Sequence, residues 1–243
     1  MKISILTLFP EMFEGFVNTS IISRSIKNDI VEIEVVNIRD YTVDAHNNVD
    51  DTPYGGGRGM VLQCQPVIDC IKDVRTKDSV VVYMGPCGKT FNQNMAKEMS
   101  KINHLVILCG HYEGIDERIK NYIDIEVSIG DYILTGGELA SMVISDAIIR
   151  LLKGSIKEDS HINESFEDNL LEHPHYTKPE VYDGMSVPKV LLSGHHENIR
   201  KYRLKESLRK TYLNRLDMLE IKKLNKEEKL MLEQIVEEES EKN

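Results

Sequence analysis

Short apolar runs rich in β-branched residues recur along the first half of the chain. They predict buried strands at residues 2–8, 30–38, 79–84, 105–108 and 123–128, the second alternating at period two. Helical patterning is predicted over residues 10–17 and 60–74. A further helix begins after Gly137, where Ala140, Val143, Ile144, Ala147, Ile148 and Leu151 fall at i, i+3, i+4, i+7 spacing and predict one buried stripe. Asp146 and Arg150 lie off that stripe, four residues apart, which by itself is the spacing of an ordinary helix ion pair. Strands alternating with helices predict an α/β fold.

The stretch from Leu105 to Leu152 uses one device twice: an apolar strand ends at glycine, an acidic turn follows, and a helix is predicted to start. Gly110 ends the first strand, and Gly130, Gly136 and Gly137 lie in the turn after the second. With Gly85-Pro86-Cys87-Gly88 after residues 79–84, three strand ends carry glycine turns, the place where open α/β sheets bind ligands through backbone. The charge narrows the ligand. Glu113, Asp116, Glu117, Asp131 and Glu138 suit helix N-termini on their own account, but they would repel a phosphate there. A ligand that is neutral or cationic at these turns fits better.

Two glycine patterns fail as nucleotide motifs. Gly88-Lys89-Thr90 has Tyr83 where a phosphate-binding loop needs its first glycine, and Gly55-x-Gly57-x-Gly59 follows Asp50-Asp51-Thr52-Pro53 instead of an apolar strand. The second belongs to a long loop, Asp40 to Gly59, whose four glycines and one proline in seven positions argue against a regular element.

The chain has 243 residues, 41% of them hydrophobic and 29% charged, the composition of a soluble globular protein. Pro10 and Glu11 break the opening apolar run, so no signal peptide is expected, and no apolar stretch is long enough to span a membrane. Cys64, Cys70, Cys87 and Cys109 lack paired metal spacing and read as small fillers of a reduced, cytoplasmic protein. His173, His175, His195 and His196 do not have the spacing of a helix-borne zinc pair, so no metal site is expected. The net charge is −10, yet Arg200 to Lys223 holds nine Lys or Arg against three acids, a local basic patch of the kind a phosphate backbone feels. Residues after Lys153 turn polar and lose periodicity. We therefore expect a domain over residues 1–155, a linker over 156–171 and a mainly helical domain over 172–243.

The segments VDDTPYGGGRGM, GHYEGIDERI, SIGDYILTGGELA, EHPHYTKPE and VLLSGHH, in this order across essentially the whole chain, closely resemble the bacterial tRNA (guanine(37)-N1)-methyltransferases, the TrmD family of the SPOUT superfamily. The resemblance implies an α/β domain whose parallel sheet carries a deep trefoil knot, a small helical C-terminal domain, and a homodimer with each active site between two chains. It implies S-adenosylmethionine, a sulfonium without phosphate, as cofactor. Its pocket would fall on Tyr83, Met84, Gly85 and Pro86, on Gly110, Tyr112, Glu113 and Gly114, and on Ser128, Ile129, Gly130, Asp131, Tyr132, Ile133, Leu134, Gly136 and Gly137. Arg150 matches the arginine beside the target guanine, and Asp50 and Ser165 match substrate-binding positions. Arg200, Arg203 and Arg209 are the expected tRNA contacts, and magnesium is implied as an aid at guanine O6, although no dedicated cage of ligands is visible. One departure matters: where the family has its general-base aspartate before Ser-Phe, this chain has Glu164 before Ser165 and Phe166. The rival reading is an inactive RNA-binding protein on the same scaffold, which could let the three glycine turns decay.

Overall fold

The computed structural model describes residues 1–157 and 164–241, and its contacts divide the chain into two compact units, Met1–Glu158 and Asp159–Asn243. Unit 1 is built on five parallel strands. β1 (Lys2–Thr7) is followed by α1 (Glu14–Asn18) and α2 (Ser20–Lys27), then β2 (Glu32–Asn37). A small ladder, β3 (Asp50–Asp51) with β4 (Val61–Leu62), leads to α3 (Cys64–Val74), β5 (Ser79–Thr90), α4 (Gln93–Met99), β6 (His104–Cys109), β7 (Ile125–Ser128) and α5 (Glu138–Ile149). The main sheet has the order β2-β1-β6-β5-β7, and every pairing in it is parallel. The central strand β6 is buried at all six positions, as a strand covered on both faces must be. One face, with Ile3, Ile5, Val82, Leu105 and Ile107, packs with Ile144 and Ile148 of α5; the other, with Leu6, Val81, Val106 and Leu108, packs with Val67 and Ile71 of α3. The α/β class is as expected.

Four local expectations change. The helix predicted over residues 60–74 starts at Cys64, because Val61 and Leu62 pair with Asp51 and Asp50. That same ladder puts two strand residues inside the loop expected to be irregular, and its glycine-rich run becomes the turn of a hairpin. The helix expected after Glu113 is a six-residue 3₁₀ turn, Glu117–Tyr122, started by the Asp116 side chain accepting from the Arg118 N–H. On α5, Val143 is half exposed, while Ser141, Ser145 and Ile149 are buried; the stripe is rotated because small serines also fit against the sheet.

The largest departure is β5. It does not stop at Met84: after pairing Met84 with Val127, the chain bulges over Gly85 to Gly88 and returns to pair Lys89 again with Val127 and Thr90 with Ser128. A Cβ at Gly88 would lie 2.4 Å from the backbone of Glu126 and Val127, so only glycine lets the bulge close. Gly88-Lys89-Thr90 is therefore strand, which removes any phosphate-loop reading.

Unit 2 contains the hairpin β8 (Val181–Tyr182) with β9 (Met185–Ser186), then α6 (Lys189–Leu192), α7 (His196–Asn214), α8 (Leu216–Ile221) and α9 (Lys226–Ser240). Its core joins Leu170, Leu208, Leu219 and Ile235. Asn225 caps α9 with a full capping box to Glu228. Among the described residues, no helix is long and apolar enough to cross a membrane.

At the amino ends of the central strands, the His104 ring bridges two serines. The Ser4 hydroxyl gives its one proton to Glu34 (3.1 Å), so it must accept from His104 Nε2 (2.9 Å); Nδ1 then accepts from Ser79 (2.7 Å). Burial, with a smaller push from the Lys2 cation, holds the His104 pKa below the usual histidine value, against the opposing pull of Glu34 and Glu32. A depressed histidine contributes stability that is fully present above about pH 6.5 and is lost as the pH falls below it, when the unfolded chain takes up the proton. Urea midpoints of the wild type and His104→Gln between pH 7.5 and 5 test this. The wild type should lose up to about 1.4 kcal/mol per pH unit more than the variant below pH 6.5; parallel curves would remove the assignment.

A candidate ligand cavity at three strand ends

The carboxyl ends of β6 and β7, with the bulge of β5 that lies between them in the sheet, open onto a cavity of about 320 Å³. From the middle of β5, where it begins to bulge, come Tyr83, Met84, Gly85 and Pro86; from the end of β6, Gly110, His111, Tyr112, Glu113 and Gly114; from that of β7, Val127, Ser128, Ile129, Tyr132, Ile133, Leu134, Thr135, Gly136 and Gly137, with Ala140 of α5. Of the expected cofactor residues, only Gly130 and Asp131 are not on the lining. Gly130 instead forms the turn, its N–H donating to Ser128 Oγ at 3.2 Å, and Asp131 is exposed. His111, Val127, Thr135 and Ala140 were not anticipated. His111, Thr135 and Ala140 lie inside the resemblance segments, so position within those segments was the available signal; Val127, just before one of them, carried none.

The walls are held together by backbone. Gly137 N–H donates to Gly110 O at 2.8 Å, and His111 bridges Gly136 in antiparallel fashion. A Cβ on Gly137 would sit 2.8 Å from Cys109 Cα and 2.9 Å from Gly110 N, so the turns can approach only because residue 137 has no side chain. At Gly110 the neighbour is the Tyr83 ring, 2.9 Å away. In the structure these glycines let turn pack on turn. The hairpin loop joins the same assembly, since Glu113 N–H donates to Met60 O at 3.0 Å and Leu62 N–H to Gly114 O at 3.0 Å.

The electrostatics are simple. The lining carries one carboxylate, Glu113, and neither Lys nor Arg. Asp116 is turned to Arg118, whose guanidinium and backbone N–H hold its carboxyl far below the usual range. Burial pushes the Tyr83 hydroxyl up, so it stays a neutral phenol. Glu138 is buried at the start of α5 and accepts from Thr7 at 2.8 Å. Such a cavity offers backbone groups, aromatic faces and one negative charge, and has no cation with which to hold a phosphate.

The remaining expected residues lie elsewhere. Arg150 caps the C-terminal end of α5, and the helix rise puts it about 20 Å along from the cavity at Gly137. Asp50 sits in β3, half-buried. In unit 2, Glu164 is half-buried, its carbonyl accepting from Glu167 N–H, and the Ser165 hydroxyl accepts from Glu172 N–H at 2.9 Å. Arg200 is bonded to Glu197 and Glu227, and Arg209 to Glu206, Glu238 and Glu239. Arg203 forms no ion pair among the described residues. Part of the expected linker, including Asp159, lies outside those residues. No group of three or more His, Cys, Asp or Glu able to hold a metal occurs among the described residues.

Comparison with known proteins fits this geometry. The family profile described as tRNA (Guanine-1)-methyltransferase TrmD matches residues 1–221. A "tRNA (guanine-N(1)-)-methyltransferase" of Clostridium botulinum (strain Kyoto / Type A2) is 55% identical over 234 residues, 96% of this chain and 97% of its own length. Proteins of the same name from Fusobacterium nucleatum subsp. nucleatum and Malacoplasma penetrans (strain HF-2) are 52% and 54% identical, covering 98% and 90% of this chain and 100% and 96% of theirs. With a parallel α/β sheet, three glycine turns converging on one cavity, and matches of this length, the chain belongs to the tRNA (guanine-1)-methyltransferase TrmD family.

Proposed function

We propose that the chain transfers a methyl group from S-adenosylmethionine to N1 of guanine-37 of tRNA, beside the anticodon. The carrying observation is the cavity at the bulge of β5 and the ends of β6 and β7, which has one carboxylate and no cation on its lining. S-adenosylmethionine fits there by charge, and when bound it supplies an activated methyl group. The chain's part is to hold it through backbone groups of the three turns, with Glu113 the one carboxylate on the lining. An inactive RNA-binding relative would have no need of three intact, mutually packed turns. Methylation of tRNA from a strain lacking this modification, with the product nucleoside identified by mass, tests the reading; no methylguanosine would refute it.

Guanine N1 carries a proton at neutral pH and must lose it to become a nucleophile. Glu164 is the proposed general base, and Arg150 the proposed partner of the charge that moves to O6. Because Arg150 and the cavity stand at opposite ends of α5, one chain does not bring them together. We therefore propose a homodimer in which Arg150 of one chain serves the cavity of the other; the exposed Ile133, Leu139 and Val143 are apolar surface for such a contact. The trefoil knot belongs to the same proposal, supported by family membership and by the bonding of the turn after β7 to the turn after β6. Magnesium would have to be held mainly by substrate, so no step is assigned to it. Asp168, the next aspartate after Ser165 and Phe166, is a poor alternative base because Lys222 holds it at 2.6 Å. Unit 2 is the proposed tRNA-binding part; Arg200 and Arg209 would have to exchange carboxylates for phosphates, whereas Arg203 would not.

Two outcomes are expected. Gly110→Val should displace the Tyr83 ring and weaken S-adenosylmethionine binding by more than tenfold in calorimetry while the protein stays folded; affinity within threefold of wild type would contradict the pocket. Glu164→Gln keeps shape and removes basicity, so single-turnover methyl transfer should slow by roughly 10²- to 10⁴-fold with cofactor affinity unchanged, and Glu164→Asp should retain substantial activity. A wild-type rate for Glu164→Gln would move the base to another carboxylate.

A further inference from the structure

Unit 2 holds a second cavity, of about 530 Å³, which the methyl-transfer chemistry leaves unused. Its apolar lining is Val187, Leu191, Leu192 and Ile199; its polar lining brings together the Tyr176 and His173 rings, Lys178, Arg203 and Glu180. The volume is that of sites for small organic ligands, about 300–1,000 Å³.

The charge pairing in unit 2 singles out this place. Along α7 and α8, Arg200, Lys205, Arg209, Arg215 and Lys222 are all bonded to carboxylates. Arg203, one helical turn from Arg200 and on the cavity lining, forms no ion pair among the described residues, and neither does Lys178. Lys210 of α7 likewise has no carboxylate partner among the described residues and donates instead to the Glu172 carbonyl at 3.2 Å, so of these two cations Arg203 is the one that lines a cavity, with an aromatic, half-exposed Tyr176. His173 Nδ1 lies 3.1 Å from Pro174 O and must donate to it, which leaves Nε2 as an acceptor when the ring is neutral.

We propose that this cavity takes one unpaired nucleotide of the tRNA, other than the guanine that is methylated. Tyr176 and the aliphatic lining receive the base, Glu180 accepts from an exocyclic amino group, and Arg203 with Lys178 meets the adjoining phosphate. A simple anion would have no use for the aromatic and aliphatic lining, and an acidic peptide would be repelled by Glu180. The proposal rests on the tRNA-methyltransferase reading above and deepens it.

The test uses the full chain saturated with S-adenosylmethionine, so that the first cavity is filled. Adenosine 5′-monophosphate should shift the methyl resonances of Leu191, Leu192 and Ile199, and inorganic phosphate alone should not. Arg203→Gln and Tyr176→Ala should each raise the KM for tRNA about tenfold with kcat within twofold, Tyr176→Phe should restore it, and Lys229→Gln, at an exposed position of α9, should change neither. If the wild type methylates tRNA but the Arg203 and Tyr176 variants keep its KM within twofold, or phosphate alone reproduces the shifts, the nucleotide site is wrong while the enzyme reading stands. A wild type that methylates no tRNA would defeat the earlier reading instead.

Discussion

The structure of the candidate site depends on one close approach: the turn after β7 lies directly on the turn after β6, with Gly137 N–H bonded to Gly110 O. No side chain fits between them. That contact fixes the start of α5, buries Glu138 against Thr7, and sets the width of a cavity whose third wall is the bulging part of β5. The Gly88 bulge is the same device at the sheet edge, carrying the chain back onto β7 after it has left to form a wall. Backbone placed by packing is well suited to binding a small ligand, because it loses little freedom when the ligand arrives.

Charge is distributed to match. Acidic residues near the turns are mostly committed, Asp116 to Arg118 and Glu138 to Thr7, and Glu113 alone remains on the lining. In unit 2, α9 supplies carboxylates to the basic side chains of α7, so a run that is strongly positive in sequence is largely neutralised in place. A charge count along the chain overstates what such a helix presents to a partner, since it cannot see the acids of another helix.

The α/β class and the three glycine turns were legible because strands covered on both faces must be apolar, and strand ends must turn. What was not legible depended on contacts distant in sequence. The extension of β5 past Met84 rests on pairing with Val127 and Ser128, some forty residues later. The late start of α3 rests on the Asp50–Leu62 pairing, and the exposure of Val143 on which side of α5 meets the sheet. The separation of Arg150 from the cavity was implicit in helix length, yet it becomes informative only once the cavity is located.

In the proposed function one small cation is held by three backbone segments at once. Amide hydrogen exchange of the full chain, with and without S-adenosylmethionine, tests this directly. Protection should rise together in Tyr83 to Gly88, Gly110 to Gly114 and Ser128 to Gly137, with the strands β1 and β2 unchanged. Protection confined to one of these turns, or arising only outside them, would contradict it.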